Sequence, residues 1–396
     1  MIYREKMLAA LNSRRNEFAE FENDRRVQIA AFQDALGRLS KLTSATLNEK
    51  LSITGSPGAL PTEEFDNWPS LVIPFNRKWN HREEARAWAY EVLLGRKTFA
   101  ADGSQILPSK DFSVPIAAVQ VGWFENPHLP GVPYKKDASF EILSPAEVMV
   151  RTGGETEFSE QRVHSRRFAS EAGAIKNFML AEASQGFDAQ KPPVVFFDSL
   201  LVISFADLLP EDQRKFYISE VTSLLDTSKQ TGIPLVGYVD TSFARDLINM
   251  MLTQFDELSD SPKLYDAPLL ADRMRWGDRT PLFRCARRGI LDSYGEEWQR
   301  EIGFVYLKTA GGASPSRLDV PMWIYEEGLL DYIVDTVRGE VIVGNGYPYV
   351  IEAADQTAVI TSHDREAFYA TFQDFIEREG MSLRVARKAV SKLQRR

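Results

Sequence analysis

The sequence predicts a mixed α/β fold with helices flanking the sheet and a helical extension at the amino end. Strand and helix patterns alternate along residues 98–255, and two of the strands end in an aspartate, Phe99-Ala100-Ala101-Asp102 and Val194-Val195-Phe196-Phe197-Asp198. Residues 1–50 lack proline and hold one glycine, Gly37, as a helical segment requires.

Along 1–50, Leu8, Leu11, Phe18, Ile29, Phe32, Leu36 and Leu39 fall near three-and-four spacing, which predicts a long amphipathic helix or a helical pair. Arg15, Glu22 and Arg25 interrupt the stripe and argue against a regular coiled coil. Residues 51–80, with Gly55, Pro57, Gly58, Pro61 and Pro69, read as a connector. The main domain then spans 81–380. It opens on a helix over His81 to Leu94 and three strands: Thr98 to Asp102, Val114 to Phe124, and Ser139 to Leu143. Gly103 frees the backbone to turn after Asp102, and Val114, Ile116, Val119 and Val121 supply the second arm of a hairpin.

A helical pattern over Glu157 to Ala183 leads to Pro192-Pro193 and the second aspartate-ended strand, which is apolar on both faces, as the centre of a sheet requires. Helix Glu211 to Gln230, strand Pro234 to Asp240 and helix Ser242 to Phe255 follow. The order is three strands, then helix, strand, helix, strand, helix, and it belongs to the ribonuclease H-like fold. There the first and fourth strands are neighbours, so Asp102 and Asp198 are expected to converge. Residues 257–297 read as an irregular insertion. Strands are expected at Ile302 to Leu307 and Met322 to Tyr325, and helices at Glu326 to Val337, Val350 to Val359 and Asp364 to Glu379. Residues 381–396 form a basic tail with Arg384, Arg387, Lys388, Lys392, Arg395 and Arg396.

Composition narrows the function. The charge, 47 basic against 56 acidic residues for a net −9, argues against a simple electrostatic coat for DNA, although a local basic groove serves a nuclease equally well. Cys285 is the only cysteine, so neither an internal disulfide nor a cysteine-rich zinc site is available. The charged opening segment lacks the basic-then-apolar pattern of a signal, and no run reaches the ~20 apolar residues of a membrane span. A cytoplasmic protein is expected.

Four carboxylates arise on separate elements: Asp102 and Asp198 at strand ends, Glu171 on the intervening helix after Arg166 and Arg167, and Asp355 on the helix after Tyr347-Pro348-Tyr349. An all-oxygen donor set suits Mn²⁺ or Mg²⁺ better than zinc. Two such ions about 3.5–4 Å apart activate water and stabilise the leaving oxygen of a phosphodiester. Glu182 competes with Glu171 for the helix position, and His81, His128, His164 and His363 show no ligand spacing. Between Asp272 and Arg288, six arginines interleave with Trp276 and Phe283. Arg273, Arg275, Trp276, Arg279 and Arg284 offer phosphate pairing and base stacking. The same composition equally forms a face of internal ion pairs.

Taken in order, Asp102-Gly103-Ser104, Arg167…Glu171, Asp198-Ser199-Leu200, the strand Gly232 to Tyr238, Arg279-Thr280-Pro281 and Tyr347-Pro348-Tyr349 with its helix resemble the NurA nuclease family over about 95–375. The resemblance implies a homodimer with a central channel and manganese-dependent cleavage of single- and double-stranded DNA. A HerA-type hexameric ATPase translocase is the implied partner, in DNA end resection and double-strand-break repair, with single-strand endonuclease and 5′–3′ exonuclease action. By position it makes Asp102, Glu171 and Asp198 metal ligands and Tyr347 or Tyr349 a site tyrosine. Asp355 stands where many members have histidine, and Ser199 directly follows Asp198 where relatives often have glycine. Those departures motivate an alternative, an inactive adaptor that docks on the ATPase ring and guides DNA. An actin-like phosphotransferase is disfavoured because only Gly103 serves a phosphate loop.

Overall fold

The computed structural model describes residues 3–68, 70–152, 155–261 and 263–384. The strands in chain order are β1 (Gly58–Pro61), β2 (Thr98–Ile106), β3 (Ala117–Asn126), β4 (Lys135–Leu143), β5 (Met149–Thr152), β6 (Glu155–Phe158), β7 (Val194–Phe197), β8 (Leu235–Val239), β9 (Phe283–Ala286), β10 (Ile302–Leu307) and β11 (Ser316–Pro321). The chain forms two compact units, Met1–Lys78 with Tyr238–Met322, and Trp79–Gly237 with Trp323–Arg396.

In the second unit β2, β3 and β4 form an antiparallel meander, while β7 lies parallel to the other edge of β2. β8 pairs with β7 in parallel through Leu235, Val236 and Gly237. This is the ribonuclease H-like arrangement, with the first and fourth large strands side by side: Thr98 stands opposite Val194 and Ala100 opposite Phe196. Helices Glu160–Gln185 and Tyr349–Ala358 pack on β2 and β3, and Glu211–Thr231 packs on the former. All four residues of β7 are buried, which accounts for its unbroken apolar run.

The expected turn at Gly103 is absent. β2 continues to Ile106 with Gly103 opposite Val121, and Gly103 keeps an ordinary negative-side φ. The glycine serves clearance instead. A Cβ there would lie 2.4 Å from Oε1 of Glu171 and 2.8 Å from Cγ of Arg167. Across the ladder, Gly122 faces Asp102 and does the same for the Tyr349–Ala358 helix: a Cβ would meet the backbone nitrogen of Ala358 at 2.5 Å. Two glycines on adjacent strands thus let two helices approach the strand position that carries Asp102.

In the first unit β1, β9, β10 and β11 run in that order, all antiparallel. The stretches read as a connector (51–80) and an insertion (257–297) supply β1 and β9, whose four residues each were masked by neighbouring glycine, proline and arginine. The amino-terminal helices are Arg4–Ser13, which buries no residue, Arg15–Leu39, buried through Phe32, Leu36 and Leu39, and Ser44–Ile53, buried through Leu47 and Leu51. Leu8, Leu11 and Phe18, counted in the same stripe, are exposed.

The strand expected at Met322 to Tyr325 is corrected: that segment is a short helix, Met322–Glu326, and the strand is β11 just before it. β11 reads as polar because Arg317 and Asp319 point inward, fully buried and paired at 2.7 Å. Asp246 joins Arg317 on one side and Arg287 on the other, at 2.8 Å from the latter. Buried charges survive only when paired, and a hydropathy pattern counts them as surface. Arg387, Lys388, Lys392, Arg395 and Arg396 of the basic tail lie outside the described residues.

Candidate metal centre and phosphodiester site

A cleft in the second unit, about 310 Å³ in volume, opens beside the middle of β2 and the carboxyl end of β7, with Asp102, Glu171 and Asp198 in its lining. Each arrives by a different route. Asp102 extends from mid-β2, held opposite Gly122. Asp198 follows the last residue of β7, and its Oδ1 accepts a 2.8 Å hydrogen bond from the Tyr347 hydroxyl. Glu171 is buried on the Glu160–Gln185 helix, its Oε1 accepting from Nη1 of Arg167 at 2.5 Å, one turn earlier.

Asp355 approaches from the Tyr349–Ala358 helix, near enough for its charge to raise the Asp102 carboxyl. Buried Glu340 fixes that helix: Oε2 accepts from the backbone N–H of Val350 in its first turn, at 2.9 Å. Oε1 of Glu340 accepts from the Thr98 hydroxyl at the start of β2, also at 2.9 Å. A carboxylate at a helix amino end matches the positive end of its dipole. One side chain therefore ties the helix carrying Asp355 to the strand carrying Asp102.

The electrostatics agree with crowding of like charges. Burial, then the nearby charges of Asp198 and Asp355, push the Asp102 carboxyl up to about 6, although the Gly103 N–H opposes the rise. Glu171 is pushed up to about 7, by burial first and by Asp102 and Asp198 next, against the Arg167 charge. Asp198 is raised in the same way, by desolvation in the cleft and by Asp355, while the Tyr347 hydrogen bond lowers it. Carboxylates that raise one another have strong reason to accept a cation. Among the described residues no three acidic, histidine or cysteine groups already stand in coordinating geometry. Glu171 is turned to Arg167. By donor type and placement the group suits a hard divalent cation, around which it would have to close.

The helix carboxylate in the cleft is Glu171; Glu182 instead pairs with Lys97 at 2.7 Å. Tyr347 is the tyrosine brought in, whereas Tyr349 packs edge-on against Phe124 at 5.6 Å between ring centres. His164, dismissed on sequence, lines the cleft with Gln161 and Phe168, its Nδ1 3.3 Å from Nε2 of Gln105. The signal was present: Gln161, His164, Arg167 or Phe168, and Glu171 recur every three or four residues along one helix face.

The arginine segment lies in the first unit and largely spends its charges there. Both terminal nitrogens of Arg279 bind the Glu64 carboxylate at 2.6 and 2.8 Å, with the residue 3% exposed. Arg279 as a DNA contact is therefore corrected; it is a structural ion pair. Arg273 donates to the Gln33 carbonyl at 2.9 Å, Trp276 Nε1 to the Thr309 carbonyl at 2.8 Å, and Arg284 to Glu301 at 3.4 Å. Arg275 is exposed.

A family model described as the NurA domain matches residues 96–360. No curated protein matches the chain. Among solved structures the chain is similar to NurA crystallised with manganese, at 9% identity over 71% of this chain and 88% of that one, with a TM-score of 0.42. It is also similar to NurA bound to dAMP and manganese, at 11% identity over 71% and 90%, TM-score 0.34. The catalytic domain of human endonuclease V matches at 14% identity over 78% and 95%, TM-score 0.33.

Proposed function

Because the chain belongs to the NurA family, we propose that it is a metal-dependent deoxyribonuclease whose centre is Asp102, Glu171, Asp198 and Asp355. The observation that carries the reading is that Asp102 and Asp198 from two neighbouring parallel strands and Glu171 from a helix line one cleft.

Asp102 and Asp198 would hold Mn²⁺ or Mg²⁺ from the sheet, with Glu171 and Asp355 closing from the two helices. When bound, one or two such ions lower the pKa of water and offset the charge on the phosphate. Tyr347 holds the Asp198 carboxylate in one orientation. Glu340 keeps the Asp355 helix in place. His164, in the cleft lining, would exchange a proton with an attacking or leaving oxygen. The aromatic wall of Phe168, Phe205 and Tyr217 excludes water from one side of the cleft and offers a stacking surface to bases.

The reading extends, on the family resemblance, to single-strand endonuclease and 5′–3′ exonuclease action in DNA end resection, a HerA-type hexameric translocase as partner, a homodimer, and a cytoplasmic location. Arg273, Arg275, Trp276 and Arg284 remain proposed DNA contacts, Arg275 foremost because it is exposed.

The test is cleavage of a labelled single-stranded oligonucleotide by the purified full chain with Mn²⁺. Wild type is expected to cut, and Asp198→Asn to lose at least about 10³-fold in rate, the scale expected when metal assistance is removed. Wild-type protein that binds DNA without cutting it under any divalent cation would establish the adaptor instead.

A further inference from the structure

We propose that Arg167 is the residue that binds the substrate phosphate in this cleft, held in reserve by Glu171 until a metal ion takes that carboxylate; the proposal rests on the nuclease reading above.

Arg167 is the arginine in the cleft lining, among several carboxylates. Its Nη1 donates to Glu171 Oε1 at 2.5 Å and to the Gly103 carbonyl at 3.2 Å. Its Nε is buried and, among the described residues, has no hydrogen-bond partner. A guanidinium offers five donors in a fixed fork that matches phosphate oxygens, so this one is underused where it rests. A buried donor without an acceptor marks a position favoured by something other than its own hydrogen bonding. Here that is the Glu171 charge.

Gly103 shows that the resting pair is built into the strand. Any side chain there would overlap both partners, so the backbone beside Asp102 is shaped to receive Arg167 and Glu171 together. The pair has two settings. Without a cation, Glu171 neutralises Arg167 and Arg167 relieves the crowding of Glu171 by Asp102 and Asp198. When Glu171 turns toward an ion shared with those aspartates, Arg167 loses its counter-charge in the lining of the same cleft. A phosphodiester arriving there supplies the replacement, in bidentate geometry. Metal and substrate thereby bind cooperatively through a single exchange of partners, and Arg167 touches substrate only in the metal-loaded state.

The experiment compares wild type, Arg167→Met and Arg167→Lys in the full chain. Mn²⁺ affinity is measured by calorimetry without DNA, oligonucleotide affinity with Ca²⁺ in place of Mn²⁺, and cleavage at saturating Mn²⁺; thermal denaturation confirms folding. The proposal expects Arg167→Met to bind Mn²⁺ as tightly as wild type or several-fold more tightly, because a competing cation is gone. It expects the same variant to bind and cleave DNA about 10- to 100-fold more poorly, the worth of a charge-assisted hydrogen-bond pair, with partial rescue by Arg167→Lys. A single uncharged methylphosphonate at the cleaved position should weaken binding to both proteins through the metal, and weaken wild type about tenfold more than Arg167→Met. Should Arg167→Met lose Mn²⁺ affinity by tenfold or more, Arg167 only positions Glu171, and the proposal is wrong. It is equally overturned if that variant binds and cleaves DNA like wild type. A wild-type chain that never cleaves DNA would instead sink the nuclease reading itself.

Discussion

Glu171 is pulled in two directions. Burial and the neighbouring aspartates raise its carboxyl to about 7, yet a metal centre needs it ionised. A carboxyl whose folded pKa exceeds its unfolded value of 4.5 favours the native state while protonated. The cost of ionising it is absent below about pH 4.5, grows through the window up to 7, and is complete above that. In EDTA at pH 8, Glu171→Gln is therefore expected to be more stable than wild type by about 1–3 kcal/mol in urea denaturation, a gain that closes as pH falls toward 4.5. Added Mn²⁺ should reverse the order by stabilising wild type alone. Tyr347→Phe leaves Asp198 without its 2.8 Å donor, so cleavage should slow about tenfold, with a higher Mn²⁺ requirement in a rate titration. Asp198 and Tyr347 were legible because they stand beside a strand end and a helix start, whereas Asp102 lies mid-strand and Glu171 and Asp355 lie inside helices, where composition marks no single carboxylate. His164 was missed because metal spacing was sought among histidines, not along a helix face shared with Glu171.

At the level of elements, glycine clearance and one buried glutamate set the site. The Tyr349–Ala358 helix sits on Gly122 and hangs from Glu340. Gly122→Ala should destabilise the fold by about 1–3 kcal/mol, because the contact it crowds is backbone, which cannot step aside as a flexible side chain would. The same variant should lose cleavage beyond what its stability explains, since Asp355 moves with the helix. Chemical denaturation and cleavage below the melting range separate the two effects. Elements with continuous periodicity or an unbroken apolar run were legible from sequence, among them Glu211–Thr231, β7 and β10. β11 was not, because Arg317 and Asp319 neutralise each other inside the first unit and look like surface in a pattern of hydropathy. Nor could a sequence show that Gly103 provides clearance instead of a turn, since Asp-Gly supports both and only the Arg167–Glu171 pair decides.

At the scale of the whole molecule, the two compact units are interleaved in the chain, so neither is a contiguous segment. Contacts far apart in sequence, such as Arg279 with Glu64, 215 residues away, hold the first unit together, and linear reading divided it into connector, insertion and strands. No described helix is long and apolar enough to cross a membrane. With a net charge of −9, the proposed binding to DNA would rest on local cations such as Arg275 and Arg167, and on bound metal ions, more than on bulk attraction. The central claim is that the carboxylates of one cleft share an ion. Anomalous diffraction at the manganese edge, from crystals grown with Mn²⁺, tests it most directly. The account predicts a peak bridging Asp102 and Asp198 with Glu171 turned away from Arg167; a cleft without a peak at saturating Mn²⁺, its carboxylates still paired as before, would contradict it.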